Sequence, residues 1–236
     1  MMRTVEPETL DQLAETDPRA IRSRLDLRRV NRVMGTLSIL LRAVDGVLAG
    51  NGTVPRRVAE IGAGDGSLLL RLARQRTRRW PRVTVTFVDR QAVVAPQTQE
   101  GLASLGWQSE VVTADVFAWL CRSPESRYDL IVANLFLHHF EDAALSHLLA
   151  GIAARTHAFV ACEPRRAWLS LAGSHLLGLL GCNDVTRRDA VLSVRAGFNG
   201  TELTSLWPPA TGWRIEDGPA GMFTQVFTAR NETGRQ

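Results

Sequence analysis

Arg57-Val58-Ala59-Glu60-Ile61-Gly62-Ala63-Gly64-Asp65-Gly66-Ser67-Leu68-Leu69-Leu70 is the stretch that decides the fold. Val58, Ala59 and Ile61 form the apolar run of a buried parallel strand. Gly62, Gly64 and Gly66 remove side chains where the backbone must turn and let a ligand approach. Leu68, Leu69, Leu70, Leu72 and Ala73 then supply a helical face for the sheet. A helix that starts at such a turn aims free N–H groups above the glycines, which suits a carboxylate or a phosphate.

The dinucleotide fingerprint G-x-G-x-x-G requires its third glycine where Ser67 stands. The pattern here is Glu-x-Gly-x-Gly-x-Gly, with Glu60 closing the strand. It resembles the first motif of the class I S-adenosylmethionine-dependent methyltransferases. Their cofactor carries an ammonium and a carboxylate, which an acidic strand end and a donor-rich helix start can serve. The resemblance extends along the chain. Val83 to Asp89 reads as a β-branched strand ending in an acid, and Asp89 would accept from the ribose hydroxyls, with Arg90 beside it. Capping a helix is the other use of an Asp at such a place. Ala114-Asp115-Val116-Phe117 resembles the third motif, in which Asp115 would bond the adenine amino group and Val116 would pack on the ring. Tyr128 to Asn134, followed by Leu135-Phe136-Leu137-His138-His139-Phe140, resembles the fourth, beside the methyl group. The resemblance thus assigns Glu60, Gly62, Ala63, Gly64, Gly66, Asp89, Arg90, Asp115, Val116 and Asn134 to S-adenosyl-L-methionine.

Strands at 57–61, 83–89, 110–113, 128–134 and 158–164 alternate with helices, including one at 92–105, and imply a parallel sheet. Trp213–Glu216 and Phe223–Thr228 end the chain as two strands joined through Asp217-Gly218-Pro219, and such a pair must run antiparallel. The expected fold is α/β: a Rossmann-like, doubly wound seven-stranded sheet, mostly parallel, with helices on both faces. At 236 residues one domain is expected. It divides into an N-terminal helical cap (1–50), a cofactor core (57–164), a helical substrate insertion (165–207) and a closing strand pair (213–229). Gly50-Asn51-Gly52 breaks the chain between cap and core.

All 28 basic residues are arginine, against 24 acidic ones, so no lysine can act as an amine nucleophile. Arg22, Arg24, Arg28, Arg29 and Arg32 read as a solvated helix face. The arginines between 71 and 82 crowd a helix end, where cations suit the dipole. Only Trp80 interleaves with them, which speaks against a nucleic-acid surface. The three cysteines make no C-x-x-C pair, so neither a disulfide scaffold nor a zinc site is expected, and no metal. No apolar leader opens the sequence, and a cytoplasmic enzyme is the expectation. The apolar run from Ala167 to Gly181 is too short to span a bilayer and reads as a buried or interfacial helix. No stable membrane insertion is expected, and the oligomeric state, monomer or homodimer, stays open.

Methyl transfer from a sulfonium is an in-line displacement in which positioning matters most. A phenol near pKa 10 needs deprotonation to attack, and a histidine suits that task. Leu137-His138-His139-Phe140-Glu141-Asp142 is similar to the His-Asp-Trp segment of plant-type small-molecule O-methyltransferases, whose first His is the base. His138 falls on it, while His139 replaces the usual Asp and Phe140 the usual Trp. Structural packing is the other reading of such a His pair. Glu163 is the fallback base, unless it caps a helix or pairs with Arg165 or Arg166. Amino-methyltransferases of nucleic acids carry Asn/Asp-Pro-Pro-aromatic after strand four, and Asn134-Leu135-Phe136 has no proline. The apolar insertion suggests a small, fairly hydrophobic acceptor, such as a phenol, quinol precursor or polyketide product of secondary metabolism. C-methylation of a quinone-type ring, or a methyltransferase-like subunit that only binds, are the rival readings.

Overall fold

The computed structural model describes residues 1–49, 54–122, 127–209 and 211–232, so the break expected at Gly50-Asn51-Gly52 lies outside the described residues. Among these residues seven strands form one sheet: β1 (Arg57–Ile61), β2 (Thr84–Asp89), β3 (Gln108–Thr113), β4 (Leu130–Asn134), β5 (Ala158–Pro164), β6 (Trp213–Ala220) and β7 (Thr224–Asn231). Their order is β3-β2-β1-β4-β5-β7-β6. The first five pair parallel, and β7 runs antiparallel to both β5 and β6. The expected Rossmann-like, mostly parallel sheet is therefore the observed one.

Among the described residues ten α-helices surround it: α1 (Thr9–Gln12), α2 (Pro18–Val33), α3 (Thr36–Leu48), α4 (Ser67–Arg76), α5 (Pro96–Ser104), α6 (Val116–Cys121), α7 (Asp142–Arg155), α8 (Trp168–His175), α9 (Asp184–Ala196) and α10 (Glu202–Leu206). Strand residues alternate between two cores, as the two-residue period of a strand requires. Val58, Leu130, Val132 and Val160 face a core shared with α3, α4 and α5. Ala59, Ile131, Ala133 and Phe159 face the opposite core, shared with α6 and α7. Both sheet faces are thus covered, which is why the strands are apolar on both sides.

Several boundaries differ from the sequence reading, among them that the second strand starts at Thr84 rather than Val83 and the fourth at Leu130 rather than Tyr128. The helix expected from Ala92 starts at Pro96, whose fixed φ suits the first helical turn. The third strand starts at Gln108, two residues before Glu110. Asp217-Gly218-Pro219 is not the hairpin turn. These residues pair with Phe227, Val226 and Gln225 inside β6, and the chain reverses at 221–223, where Gly221 has φ 79°. A proline is tolerated there because β6 is the sheet edge.

The arginine-rich α2 starts where Asp17 accepts from the Arg19 amide at 2.7 Å. Its arginines are more than a solvated face. Arg24 donates to Gln91 Oε1 at 2.7 Å, and Arg28 lies 3.6 Å from Asp65, so α2 reaches over the two turns that follow β1 and β2. Trp80 is buried, stacked on Trp107 at 6.1 Å between centroids, and offers no face to a base. Among the described residues, no helix is long and apolar enough to cross a membrane.

Candidate active site

The strand order reverses at β1, because β2 and β3 lie on one side of it and β4 and β5 on the other. The crevice beyond the carboxyl ends of β1 and β4 is where open α/β sheets bind ligands. The glycine turn opens there. Gly62, Gly64 and Gly66 have φ of 63°, 54° and 70°, a backbone conformation that side chains resist. A Cβ at Gly62 would overlap the Phe136 ring, so this glycine lets the β1 and β4 loops touch. A Cβ at Gly64 would meet no atom within 4 Å and would point into open space.

Two acceptors at this crevice are buried and unpartnered. Glu60 is 3% exposed, and its Oε2 has no hydrogen-bond partner. Burial, with Asp65 and Asp89 adding their charge, pushes its carboxyl well above the ordinary range. Asn134 Oδ1, at the end of the neighbouring strand, is also buried without a partner. A buried, unsatisfied carboxylate costs several kcal/mol unless a cation or donor arrives. An ammonium group answers that need, so the residues fit the methionine end of the sulfonium cofactor.

The other residues assigned to the cofactor lie around the same turns. Asp89 ends β2 and already works for the loop: Oδ2 accepts from the Gly64 amide at 2.8 Å and Oδ1 from the Gln91 amide at 2.9 Å. Ala63 is nearly buried and donates its amide to Val88 O at 3.2 Å. Arg90 is exposed. Asp115 caps α6 through Oδ1, which accepts from Phe117 and Ala118 amides at 2.9 and 3.3 Å. Val116 beside it is buried.

Beyond β4 the chain takes a costly step. Leu135 has φ 53°, the one positive value outside glycine among the described residues. A left-handed leucine costs roughly 1–2 kcal/mol. It drops the chain into a 3-10 turn at Leu137–His139. Glu163, fully buried on β5, organises that turn. Its Oε1 accepts from the Phe136 and Leu137 amides at 3.0 and 2.9 Å, and its Oε2 binds His138 Nδ1 at 2.7 Å. Glu163 therefore pairs with neither Arg165 nor Arg166. Arg166 turns instead to Glu202 and to the carbonyls of Gly197 and Met1.

His138 is only 2% exposed, and its second nitrogen is engaged as well, with Nε2 lying 3.2 Å from Glu8 Oε1. Burial alone would push the imidazole down, but the bonds and charges of Glu163 and Glu8 outweigh it and hold the pKa at about 9. In this arrangement His138 is a cation between two carboxylates. Burial, then the adjacent His138 charge, pushes His139 down. The His139 Nδ1 lies 3.3 Å from Asp11.

Glu8 is the site residue that sequence reasoning missed, because 130 residues separate it from His138 and no motif marks it. The first thirteen residues bring it there. Arg3 bridges Asp142, Phe140 O and Ala196 O and stacks over Phe198. Asp189 on α9 accepts from the Thr9 and Leu10 amides at 2.9 and 2.8 Å, and Ser193 donates to Glu8 itself. Glu8, His138 and His139 also offer ligand atoms within 4.8 Å of one another, so they could hold a divalent ion if it displaced the His138 proton.

Comparison with known proteins agrees with this fold. Residues 58–157 match a family described as methyltransferase domain. Over these residues the chain is similar to the class I S-adenosylmethionine-dependent methyltransferases. An uncharacterised methyltransferase of Mycobacterium tuberculosis (strain ATCC 25618 / H37Rv) is 36% identical over 94 residues, 39% of this chain and 42% of the relative. A tRNA1(Val) (adenine(37)-N6)-methyltransferase of Enterobacter sp. (strain 638) is 42% identical over 83 residues, 34% of this chain and 31% of the relative. The chain thus matches less than half the length of these curated relatives. Among solved structures, the plantazolicin methyltransferase BpumL in complex with SAH superposes with a TM-score of 0.66 at 13% identity, over 94% of each chain. An O-methyltransferase family protein from Burkholderia thailandensis gives 0.62 at 15% identity, over 93% of this chain and 62% of that one. The cofactor of this methyltransferase family is S-adenosylmethionine.

Proposed function

We propose that this methyltransferase moves a methyl group to the hydroxyl of a small, fairly apolar acceptor, with His138 as the base. The observation that carries the reading is the asymmetry of the His138 ring. Nδ1 is tied to Glu163, a fully buried residue of the sheet, whereas Nε2 meets Glu8, a residue of the N-terminal segment. The Glu8 oxygen marks the place an acceptor oxygen would take. With a neutral hydroxyl there instead of a carboxylate, one of the two charges that raise the pKa is gone. The ring can then be neutral, with Nδ1–H donating to Glu163 and the Nε2 lone pair free to take the acceptor proton. Glu163 orients the ring and stabilises the imidazolium that forms, as a carboxylate does behind a catalytic histidine.

When bound, the cofactor supplies a methyl group already activated on a sulfonium. Glu60 and Asn134 would hold its amino-acid end, Gly64 would leave room for it, Asp89 would accept from the ribose, and Asp115 and Val116 would meet the adenine. Arg90 would lie at the ribose edge. The acceptor would be a phenol, quinol precursor or polyketide product rather than a nucleic acid. Asn134-Leu135-Phe136-Leu137 lacks the proline pair of base-flipping enzymes, and Trp80 is buried. The test is incubation with labelled S-adenosylmethionine and a panel of phenols and quinols, with the products identified by mass spectrometry. A methyl ether is expected. A product methylated on ring carbon would replace this reading with C-methylation, and no transfer despite tight cofactor binding would favour a binding subunit.

A further inference from the structure

We infer that α8 and the turn after it form a peripheral docking surface for an anionic lipid bilayer, with a lipid phosphate seated beside Arg187 and Arg188. The first observation is that α8 is inside out. A water-solvated helix buries its apolar stripe and exposes its polar one. Here Ser170 and Ser174 face inward at 3% and 6% exposure, and Gly173 packs against Phe223. Ser170 Oγ finds no partner there. The outward face carries Trp168 at 76% exposure, Leu169 at 54% and Leu176 at 58%. The 3-10 turn Leu176–Leu180 continues it with Leu179 at 84% and Leu180 at 44%. Leu169, Ala172 and Leu176, at i, i+3 and i+7, make one stripe. A contiguous apolar surface of this kind marks an interaction site.

The second observation is a cleft at the border of that stripe. Between α8 and α9 a cavity of about 360 Å³ is lined by Ser174, His175, Asp184, Arg187, Arg188 and Val191. Arg187 and Arg188 are exposed and, among the described residues, form no ion pair. Asp184 is the single carboxylate in the lining, so cations outnumber it. Guanidinium groups bind phosphate oxygens in bidentate fashion.

The two features together select the occupant. From Trp168 to Leu180 the segment is roughly 22 Å long at helical rises, too short to cross a hydrocarbon core of about 30 Å. It suits a helix lying in the membrane plane, apolar face down, Trp at the interface and arginines at headgroup level. A second copy fits less well, because two-fold pairing of the stripe would bring two sets of Arg187 and Arg188 to one seam. The segment follows the carboxyl end of β5, and His138 follows the carboxyl end of the parallel neighbour β4, so both leave the sheet at the same end.

The experiment is co-sedimentation of the full chain with phosphatidylcholine vesicles, with and without phosphatidylglycerol, at physiological salt. The chain should bind the phosphatidylglycerol vesicles. Binding should fall at least about tenfold in the Leu176→Glu/Leu179→Glu variant and in the Arg187→Glu/Arg188→Glu variant, since each basic residue near the surface contributes about 1 kcal/mol. Calorimetry with S-adenosylmethionine on the same variants should match the parent, which shows them folded. No binding to anionic vesicles, or binding that both variants retain, would overturn the proposal. So would a dimer, seen by analytical ultracentrifugation, that Leu176→Glu/Leu179→Glu dissolves in a chain that ignores vesicles. Inorganic phosphate held at the cleft without vesicle binding would assign it to a free anion instead.

Discussion

Glu60 near the end of β1 and His138 in the turn after β4 are both buried, and they are finished in opposite ways. Glu60 has an oxygen with no partner at all, whereas His138 has a carboxylate on each nitrogen. The first is a charge deficit left for something outside the chain to fill. The second is closed by the chain itself, through Glu8. The end of β1 therefore keeps a buried acceptor without a partner, and the turn after β4 is closed by an ion-pair network, which on the proposed function an acceptor would have to exchange. Opposite perturbations follow from this. Glu60 is pushed toward its neutral form, and His138 is held in its charged one.

Perturbing each side separately tests the contrast. The largest effect is expected for Gly64→Val, which places a β-branched side chain in the cofactor space at a backbone angle it resists. Calorimetry should detect no binding of S-adenosylmethionine, and a folded variant with parental affinity would refute the assignment of the turn. Next comes His138→Ala, which should lower kcat by roughly 10²–10⁴ while leaving cofactor affinity nearly unchanged. His139→Ala should cost much less. More acidic phenols should partly restore the His138→Ala rate, and near-parental turnover would remove His138 from the chemistry.

The His138 network should also show itself in stability. The folded pKa of His138, about 9, lies above its ordinary 6.5. The network thus contributes fully below about pH 6.5 and is lost as pH rises through 9, on the order of 3 kcal/mol in all. Thermal melts should fall by roughly 5–10 °C between neutral and strongly basic pH in the parent, and His138→Ala should lack that decline. An identical decline in both would show that another group controls it. The smallest effect belongs to Asp89→Ala, which should weaken the cofactor by about 1–3 kcal/mol. Unchanged affinity would leave Asp89 as a clamp for Gly64 and Gln91 only.

What could be read from the sequence was whatever is local. The strand, the three glycines and the helix after them are one continuous run, so their geometry follows from neighbouring residues. Asp89 and Asn134 were located because each ends a β-branched or apolar run. Glu8 was invisible because its partners lie on α9 and in the turn after β4, and only the folded chain brings them together. Asp217-Gly218-Pro219 was misread because glycine and proline signal turns, while an edge strand accepts them equally well. The apolar run at 167–181 gave a helix but not its orientation. Periodicity shows that a stripe exists and is silent on which way it faces, and here the serines took the inside.

The strap formed by the first thirteen residues also fixes an order of events during synthesis. Glu8 leaves the ribosome early, yet His138, Asp189 and Ser193, which hold it and the start of α1 in place, come 130 to 185 residues later. Closing so long a loop has to wait until those partners exist. The segment from β1 to β4 can meanwhile assemble its own crevice from residues close in sequence. The crevice between β1 and β4 can therefore form before Glu8 reaches His138, so the last contact to close in this region is one made by the earliest residues of the chain.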